Sequence, residues 1–237
     1  IMVCQDGFIT SHAVENILIE EDEAVKAFVG EYHPEHALLG RETPLAVGPY
    51  DISPYYMEHK VQQAEAMKNA KRAVLDVAAD FEKTFGRKYG FFEEYCMEDA
   101  EVALVLIGST AGTAKACIDQ LRAAGRKVGL IKIRVFRPFP GEELAQALSH
   151  VKAVAVMDKS EGFSACGGPL YAETCAACYD LPERPVLVNI VYGLGGRDVA
   201  TEDIARVYDH LFLLTRNGGQ GPKYIHMGQR SSEAEVL

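Results

Sequence analysis

The chain has 237 residues, 48% of them hydrophobic, with a formal net charge of −10 and a sequence pI near 5.2. That length holds one large or two small domains with an ample core, and the acidic balance argues against a general binder of nucleic-acid phosphates. No apolar run reaches the ~18–20 residues of a membrane span, and the opening IMVCQDGF lacks the basic region and long apolar core of a signal peptide, so a cytoplasmic protein with no membrane and no nucleic-acid partner is expected.

Cys4, Cys96, Cys117, Cys166, Cys175 and Cys178 mostly sit inside apolar patterns. They lack the density of a secreted disulfide scaffold, which points to a reducing compartment.

Ile1-Met2-Val3-Cys4 reads as the second half of a β-strand. A chain that opens this way is expected to be a piece of a longer polypeptide, without the part that carries the chemistry. Gln5-Asp6-Gly7 is a turn signal. Ser11 is placed to cap a short segment through Ile17, and Glu20-Glu21-Asp22-Glu23 opens a helical stretch to about Val29. Acidic residues complement a helix N-terminus, so this run reads as a solvated cap and not as a metal site.

Residues 30–54 carry Gly30, Pro34, Gly40, Pro44, Gly48, Pro49 and Pro54, a spacing that prevents any long regular element. Tyr32, Leu38, Leu39, Val47 and Tyr50 are too many for a free tether, so this arm is expected to wrap over a neighbouring surface. Residues 55–85 contain no Gly or Pro, and Tyr56, His59, Gln63, Ala66, Met67, Ala70, Val74, Val77, Ala78, Phe81 and Phe85 recur mostly at three- and four-residue spacing. This predicts a helix about 45 Å long at 1.5 Å per residue, stopped by Gly86, with His59 a packing or hydrogen-bonding residue near the apolar stripe. The aromatic run Tyr89–Tyr95 suits an edge strand.

From residue 101 onward strands and helices alternate. Strand 102–107 (VALVLI) leads through GSTAGT to a helix over 112–124. Strand 127–133 leads through RVFRPFP to helix 141–148, and strand 153–157 through DKSEGFSACGG to helix 168–179. Strand 186–191 leads through GLGGRD to helix 201–214. Continuous apolar strands are covered on both faces, and repeated strand–helix units give right-handed crossovers. The fold class is therefore α/β, a mainly parallel open sheet with helices on both faces. Ligands and partners of such sheets meet the loops at the carboxyl ends of the strands. Residues 216–237 read as a flexible tail, in which Tyr224–Met227 is placed to dock and Ser231–Leu237 to be mobile.

The loop motifs are weak singly. GSTAGT lacks the GxGxxG spacing of a dinucleotide site and the lysine-bearing phosphate loop. Lys132 and Arg134, not an acidic residue, stand near the end of the next strand. A structural turn at a domain interface is the leading reading, and anion binding at the helix N-terminus is the alternative. In GLGGRD, Arg197 and Asp198 fit an inter-domain or subunit contact better than a catalytic step. Cys175-Ala-Ala-Cys178 falls late in a helix without a second cysteine pair, which favours small core residues over a redox or cluster site. Ser109, Thr110, Thr113, Arg134, Arg137, Arg197 and Asp198 are the candidate cofactor or interface residues of the carboxyl-end rim; no catalytic or metal residue is assigned.

Taken in order, CQDGFITSH, FVGEY, GPYDISPYYMEHK, QAEAMKNAK, GSTAGTAK, KVGLIKIRVFRPFP, AVAVMDKSEGF with GGPLY, and VYGLGGRDV resemble the alpha subunit of pyruvate:ferredoxin oxidoreductase (pyruvate synthase) up to about residue 214. FVGEY and YYMEHK favour the pyruvate branch over the 2-oxoglutarate and branched-chain ones. The resemblance implies a thiamine-diphosphate enzyme that decarboxylates pyruvate, passes electrons through 4Fe–4S clusters to ferredoxin and forms acetyl-CoA from CoA. It implies a Rossmann-like three-layer, transketolase C-terminal-like domain over 55–215. Residues 1–29 would be the end of a preceding pyrimidine-binding domain, 30–54 a linker arm and 216–237 a tail. The magnesium, diphosphate and cluster motifs of that family match no position here. This part of the subunit is expected to bind no cofactor alone, to serve assembly with beta, gamma and delta subunits, and to be inactive by itself. A self-standing nucleotide- or CoA-binding domain and a non-catalytic interaction module are the competing readings.

Overall fold

The computed structural model describes residues 1–37, 39–40, 42, 44, 47–48 and 50–230. The readings made on Leu38, Pro49 and Ser231–Leu237 lie outside the described residues. The chain divides into two compact units, one of Asn16–Gly90 and one of Ile1–Glu15 with Phe91 onward.

The first residues differ from expectation. Ile1–Cys4 is not a strand, because no described neighbour offers it a ladder. The helix near Ser11 is a single turn, α1 (Ile9–His12). Ser11 lies inside it, and its Oγ accepts the Phe8 N–H at 2.9 Å.

The 16–90 unit holds α2 (Asp22–Val29) and α3 (Tyr56–Phe85). Gly86 ends α3 in the left-handed region at φ 70°, its N–H donating to the Glu82 carbonyl at 2.8 Å. Phe28 of α2 packs edge-on against Phe81 and Phe85 at 5.7 and 5.4 Å between centroids. Arg87 lies 5.1 Å from the Phe81 ring centroid and pairs with Glu20 at 2.5 Å. The stripe on α3 is half-buried at Ala70, Val74, Ala78, Phe81 and Phe85, but no residue of this helix is fully buried. The eight-residue α2 covers only its C-terminal end, so Tyr56, Met67 and Val77 remain exposed. His59 is a hydrogen-bonding residue as expected, its Nδ1 2.6 Å from Asp51 Oδ1. Residues 30–54 contain no helix or strand among those described, and Tyr32, Leu39, Val47 and Tyr50 are exposed. The expected packing of the arm is not formed within its unit, since its Pro and Gly residues leave no regular face on which these side chains could gather.

The second unit is the sheet. Its elements are β1 (Phe92–Tyr95), β2 (Val102–Ile107), α4 (Thr110–Ala123), β3 (Val128–Ile133), α5 (Gly141–Leu148), β4 (Ala153–Asp158), α6 (Pro169–Cys178), β5 (Val186–Val191), α7 (Thr201–Arg216) and β6 (Tyr224–His226). The strand order is β1-β3-β2-β4-β5-β6, parallel except for the antiparallel edge strand β1. Alternate residues of the apolar strands serve opposite layers. Val102, Leu104 and Leu106 face Ile118 of α4 and Ile204, Val207 and Leu211 of α7. Ala103, Val105, Val154 and Val156 face Leu144 and Leu148 of α5 and Leu170 of α6. Each such Leu or Ile contributes about 1.5–3 kcal/mol by burial. This is the expected α/β arrangement, a mainly parallel open sheet with helices on both faces.

Two boundaries move for physical reasons. Helix α4 starts at Thr110, because Gly108 alone, at φ +89°, turns the chain out of β2. The tail is not wholly flexible, since β6 pairs in parallel with β5. Glu161 ties it down, accepting the Tyr224 hydroxyl and lying 2.5 Å from His226 Nε2.

Candidate functional site

The sheet has its switch point between β2 and β4, where successive crossovers leave in opposite directions. The carboxyl ends of such neighbours splay apart and form the usual ligand crevice of a doubly wound sheet. Here the loops Gly108-Ser109 and Lys159-Ser160 flank it.

Asp6 fills this position. Its Oδ2 accepts the Ser109 N–H at 3.3 Å and the Ser109 hydroxyl, and lies 3.1 Å from Lys159 Nζ; Oδ1 lies 3.4 Å from the same ammonium. The Asp6 side chain is 10% exposed. Burial alone would push its carboxyl up. The bonds from Ser109 and Lys159, with the ammonium charge, outweigh that and hold it below the ordinary carboxylate range. Lys159 also lies 5.9 Å from the ring centroid of Tyr192.

Asp158 points the other way. It is buried and accepts the Leu170 and Tyr171 N–H groups at 3.0 and 3.1 Å, closing the first turn of α6. Burial pushes its carboxyl up, and these two N–H groups pull it back without cancelling that. Gly168 is required beside it, because a Cβ there would overlap the Asp158 carboxylate. The Gly168 N–H donates to Asn189 Oδ1 at 3.3 Å.

Residues Cys4–Ile9 and the loop Gly193–Arg197 wall a cleft of about 520 Å³ whose floor includes Ile107, Met157, Leu170 and Phe136. A neighbouring depression of about 310 Å³ gathers Ser109, Thr110, Thr113, Lys159, Arg197 and Asp198. The sequence-predicted residues thus divide. Ser109, Thr110, Thr113, Arg197 and Asp198 come together, although Thr110 is buried and not displayed on the rim. Arg134 and Arg137 do not join them. Arg134 pairs with Glu93 at 2.7 Å, and Arg137 pairs with Glu173 at 2.5 Å, its guanidinium 4.3 Å from the Phe136 ring centroid. Arg197 donates to the Gly228 carbonyl, which ties GLGGRD to the tail.

Sequence reasoning missed Asp6, which it read as part of a turn. Asp158 and Lys159 entered it only as the first residues of the DKSEGFSACGG loop, without a role. No local signal could have joined Asp6 to Lys159 across 153 positions. All six cysteines are free thiols. Cys178 is buried and burial pushes its thiol up to about 11; burial likewise raises Cys175 and Cys117. That is the chemistry of packed side chains and not of reactive thiolates.

Among the described residues of 1–79 none is fully buried as a whole residue. No group of three His, Cys, Asp or Glu side chains that could hold a metal lies among the described residues. No described helix is long and apolar enough to cross a membrane.

Two family models match the chain. "Pyruvate:ferredoxin oxidoreductase core domain II" covers residues 100–204, and "Pyruvate flavodoxin/ferredoxin oxidoreductase, thiamine diP-bdg" covers 1–79. The pyruvate synthase subunit PorA of Thermotoga maritima is 49% identical over 209 residues, 88% of this chain and 53% of the relative. PorA of Methanocaldococcus jannaschii is 39% identical over 89% of this chain and 54% of the relative. The ketoisovalerate oxidoreductase subunit VorA of Pyrococcus abyssi is 35% identical over 92% and 55%. The chain therefore spans about half the length of the curated relatives it matches. A solved 2-oxoglutarate:ferredoxin oxidoreductase from Magnetococcus marinus aligns with 68% of this chain and 24% of that chain at 21% identity and a TM-score of 0.45, a likeness too weak to carry an argument.

Proposed function

Because the chain belongs to the pyruvate:ferredoxin oxidoreductase family, we propose that it is the domain II part of the alpha subunit of a thiamine-diphosphate-dependent pyruvate:ferredoxin oxidoreductase. The whole complex would convert pyruvate, CoA and oxidised ferredoxin to acetyl-CoA, CO2 and reduced ferredoxin. Thiamine diphosphate, magnesium and 4Fe–4S clusters would be held by other parts of the complex, with beta, gamma and delta subunits as partners and ferredoxin as the electron acceptor. The pyruvate branch is preferred over the branched-chain one on the higher identity of the pyruvate synthase relatives.

The role assigned to this part is structural and assembling. One observation carries that reading: the crevice where a doubly wound sheet ordinarily seats its ligand holds the chain's own Asp6, paired with Ser109 and Lys159. The rim residues Ser109, Thr113, Arg197 and Asp198 would then position neighbouring segments or subunits. They would not bind a cofactor. The chemistry done by these side chains is charge pairing and orientation, and no covalent step is assigned to them.

The test is turnover. The purified chain with pyruvate, CoA, thiamine diphosphate, magnesium and a low-potential acceptor is expected to give no acetyl-CoA. The same chain within a full alpha subunit co-expressed with its partner subunits is expected to give it. Acetyl-CoA formation by the chain alone would overturn the structural assignment, and an inactive complete complex would overturn the reaction.

A further inference from the structure

We propose that residues 222–228, the strand β6 with the turns that flank it, are a clasp that couples the two rim loops 159–163 and 193–197, so that loosening one loop loosens the other. This goes beyond the assembly role and does not depend on the reaction assigned to the complex.

At three residues, β6 is at the lower limit of strand length. It pairs with β5 alone, and the ladder is extended by the Asn189 N–H to the Lys223 carbonyl at 2.8 Å and the Met227 N–H to the Val191 carbonyl at 2.9 Å. Successive side chains of a strand point to opposite faces. Ile225 is 6% exposed and joins the core layer shared with α4 and α7, whereas Tyr224 and His226 share the other face, their ring centroids 5.1 Å apart.

Side chains from three other elements complete the attachment. From the loop after β4, Glu161 accepts the Tyr224 hydroxyl and lies 2.5 Å from His226 Nε2. The hydroxyl and the imidazole hold the Glu161 carboxyl below its ordinary range, so it is ionised and accepts from both. From the loop after β5, Arg197 donates to the Gly228 carbonyl. From α7, His210 Nε2 lies 2.8 Å from the Pro222 carbonyl, and because a carbonyl only accepts, that nitrogen carries the proton. The fit is close at both ends. A Cβ on Gly228 would stand 3.1 Å from Arg197 Cδ, and one on Gly221 would stand 2.7 Å from Leu214 Cδ2 of α7.

The two loops meet directly at their bases, where Lys159 Cε lies 3.1 Å from the place a Cβ on Gly193 would take. Further out, Glu161 and Arg197 are joined through β6. A short element that both loops fasten is what physical coupling between them requires. The coupling is reciprocal, so whatever orders loop 193–197 also orders loop 159–163.

The test is amide hydrogen exchange of the full chain, followed by NMR, in the wild type, Glu161→Ala, Arg197→Met and His210→Leu. Exchange at 224–228 is expected to rise about two- to tenfold in each variant, the effect of losing one ordinary hydrogen bond. Coupling shows in the cross effects. Glu161→Ala should also speed exchange at 194–197, and Arg197→Met should speed it at 161–163. His210→Leu changes neither loop, yet should speed exchange in both by loosening β6. In the double variant of Glu161→Ala with Arg197→Met, the combined effect should fall short of the product of the single ones. Amides of β2 and β4 should keep their wild-type rates. Loops that respond only to their own substitution, loops unmoved by His210→Leu, rates that multiply in the double variant, or loosening of β2 and β4 would each overturn the proposal.

Discussion

Asp6 and Lys159 stand 153 residues apart in the sequence and 3.1 Å apart in the fold. Their pairing connects the first residues of the chain to the end of β4, at the point of the sheet where a ligand would otherwise be expected. Because Asp6 also takes the Ser109 N–H and hydroxyl, one carboxylate uses the donors that the start of α4 presents.

The pairing makes the attachment sensitive to acid. The Asp6 carboxyl is held below its ordinary value near 4. A group lowered in the folded state contributes stability above the unfolded value and loses it as pH falls through the folded one. Lys159, Arg197, Tyr192, Asp158, Cys4 and His12 are titratable or charged groups near it, on residues 4–12, the β4 end, the β5 end and the Gly193–Arg197 loop. The contact of Asp6 with Ser109 and Lys159, followed by NMR at the Ser109 amide, should be constant from pH 7 to about 5 and be lost below about pH 4. Loss centred near pH 6 would contradict an Asp6-controlled attachment.

Gly108→Ala should destabilise the sheet unit by about 1–2 kcal/mol, the cost of forcing a residue with a Cβ into the left-handed region. The contact with Asp6 adds to it. Urea unfolding would show this as a lower midpoint at unchanged slope. A midpoint equal to wild type would mean that the turn out of β2 can re-form another way.

Gly168→Ala should be more damaging than its size suggests. Its Cβ would overlap the Asp158 carboxylate and break the bonds to Leu170 and Tyr171. Loss of such a buried, helix-capping acceptor costs about 1–3 kcal/mol. Asp158→Asn should fall at the mild end of that range, since an amide keeps one acceptor oxygen. Thermal unfolding of both variants checks the order.

In the 16–90 unit, Phe28→Ala should release α2 from α3. The ring meets both Phe81 and Phe85, and aromatic pairs contribute about 0.5–1.5 kcal/mol each beyond area. Amide exchange in Asp22–Val29 should rise roughly tenfold or more, while α3 near Ala70 stays helical. Equal loss along α3 would show that α2 supports the whole helix.

The sheet was legible because its strands are continuous apolar runs and its helices are bounded by Gly and Pro. Helix α5 falls on 141–148 as read, and the edge strand β1 falls within Tyr89–Tyr95. Helix α3 was equally plain, but its stripe announced a partner without saying how much of it the unit supplies. The site was half legible. Ser109, Thr113, Arg197 and Asp198 follow from the rule that loops at carboxyl ends converge, whereas Arg134 and Arg137 satisfied that rule and then took local carboxylates, Glu93 and Glu173. Asp6 was invisible because its meaning depends on a contact made only in three dimensions. A short polar turn carries no periodicity to betray it.

The most direct test of the structural role is calorimetric titration of the chain with thiamine diphosphate plus magnesium, and separately with CoA. The account predicts no saturable heat with either ligand. Saturable thiamine diphosphate or CoA binding by the isolated chain would contradict it and make the switch-point rim a ligand site.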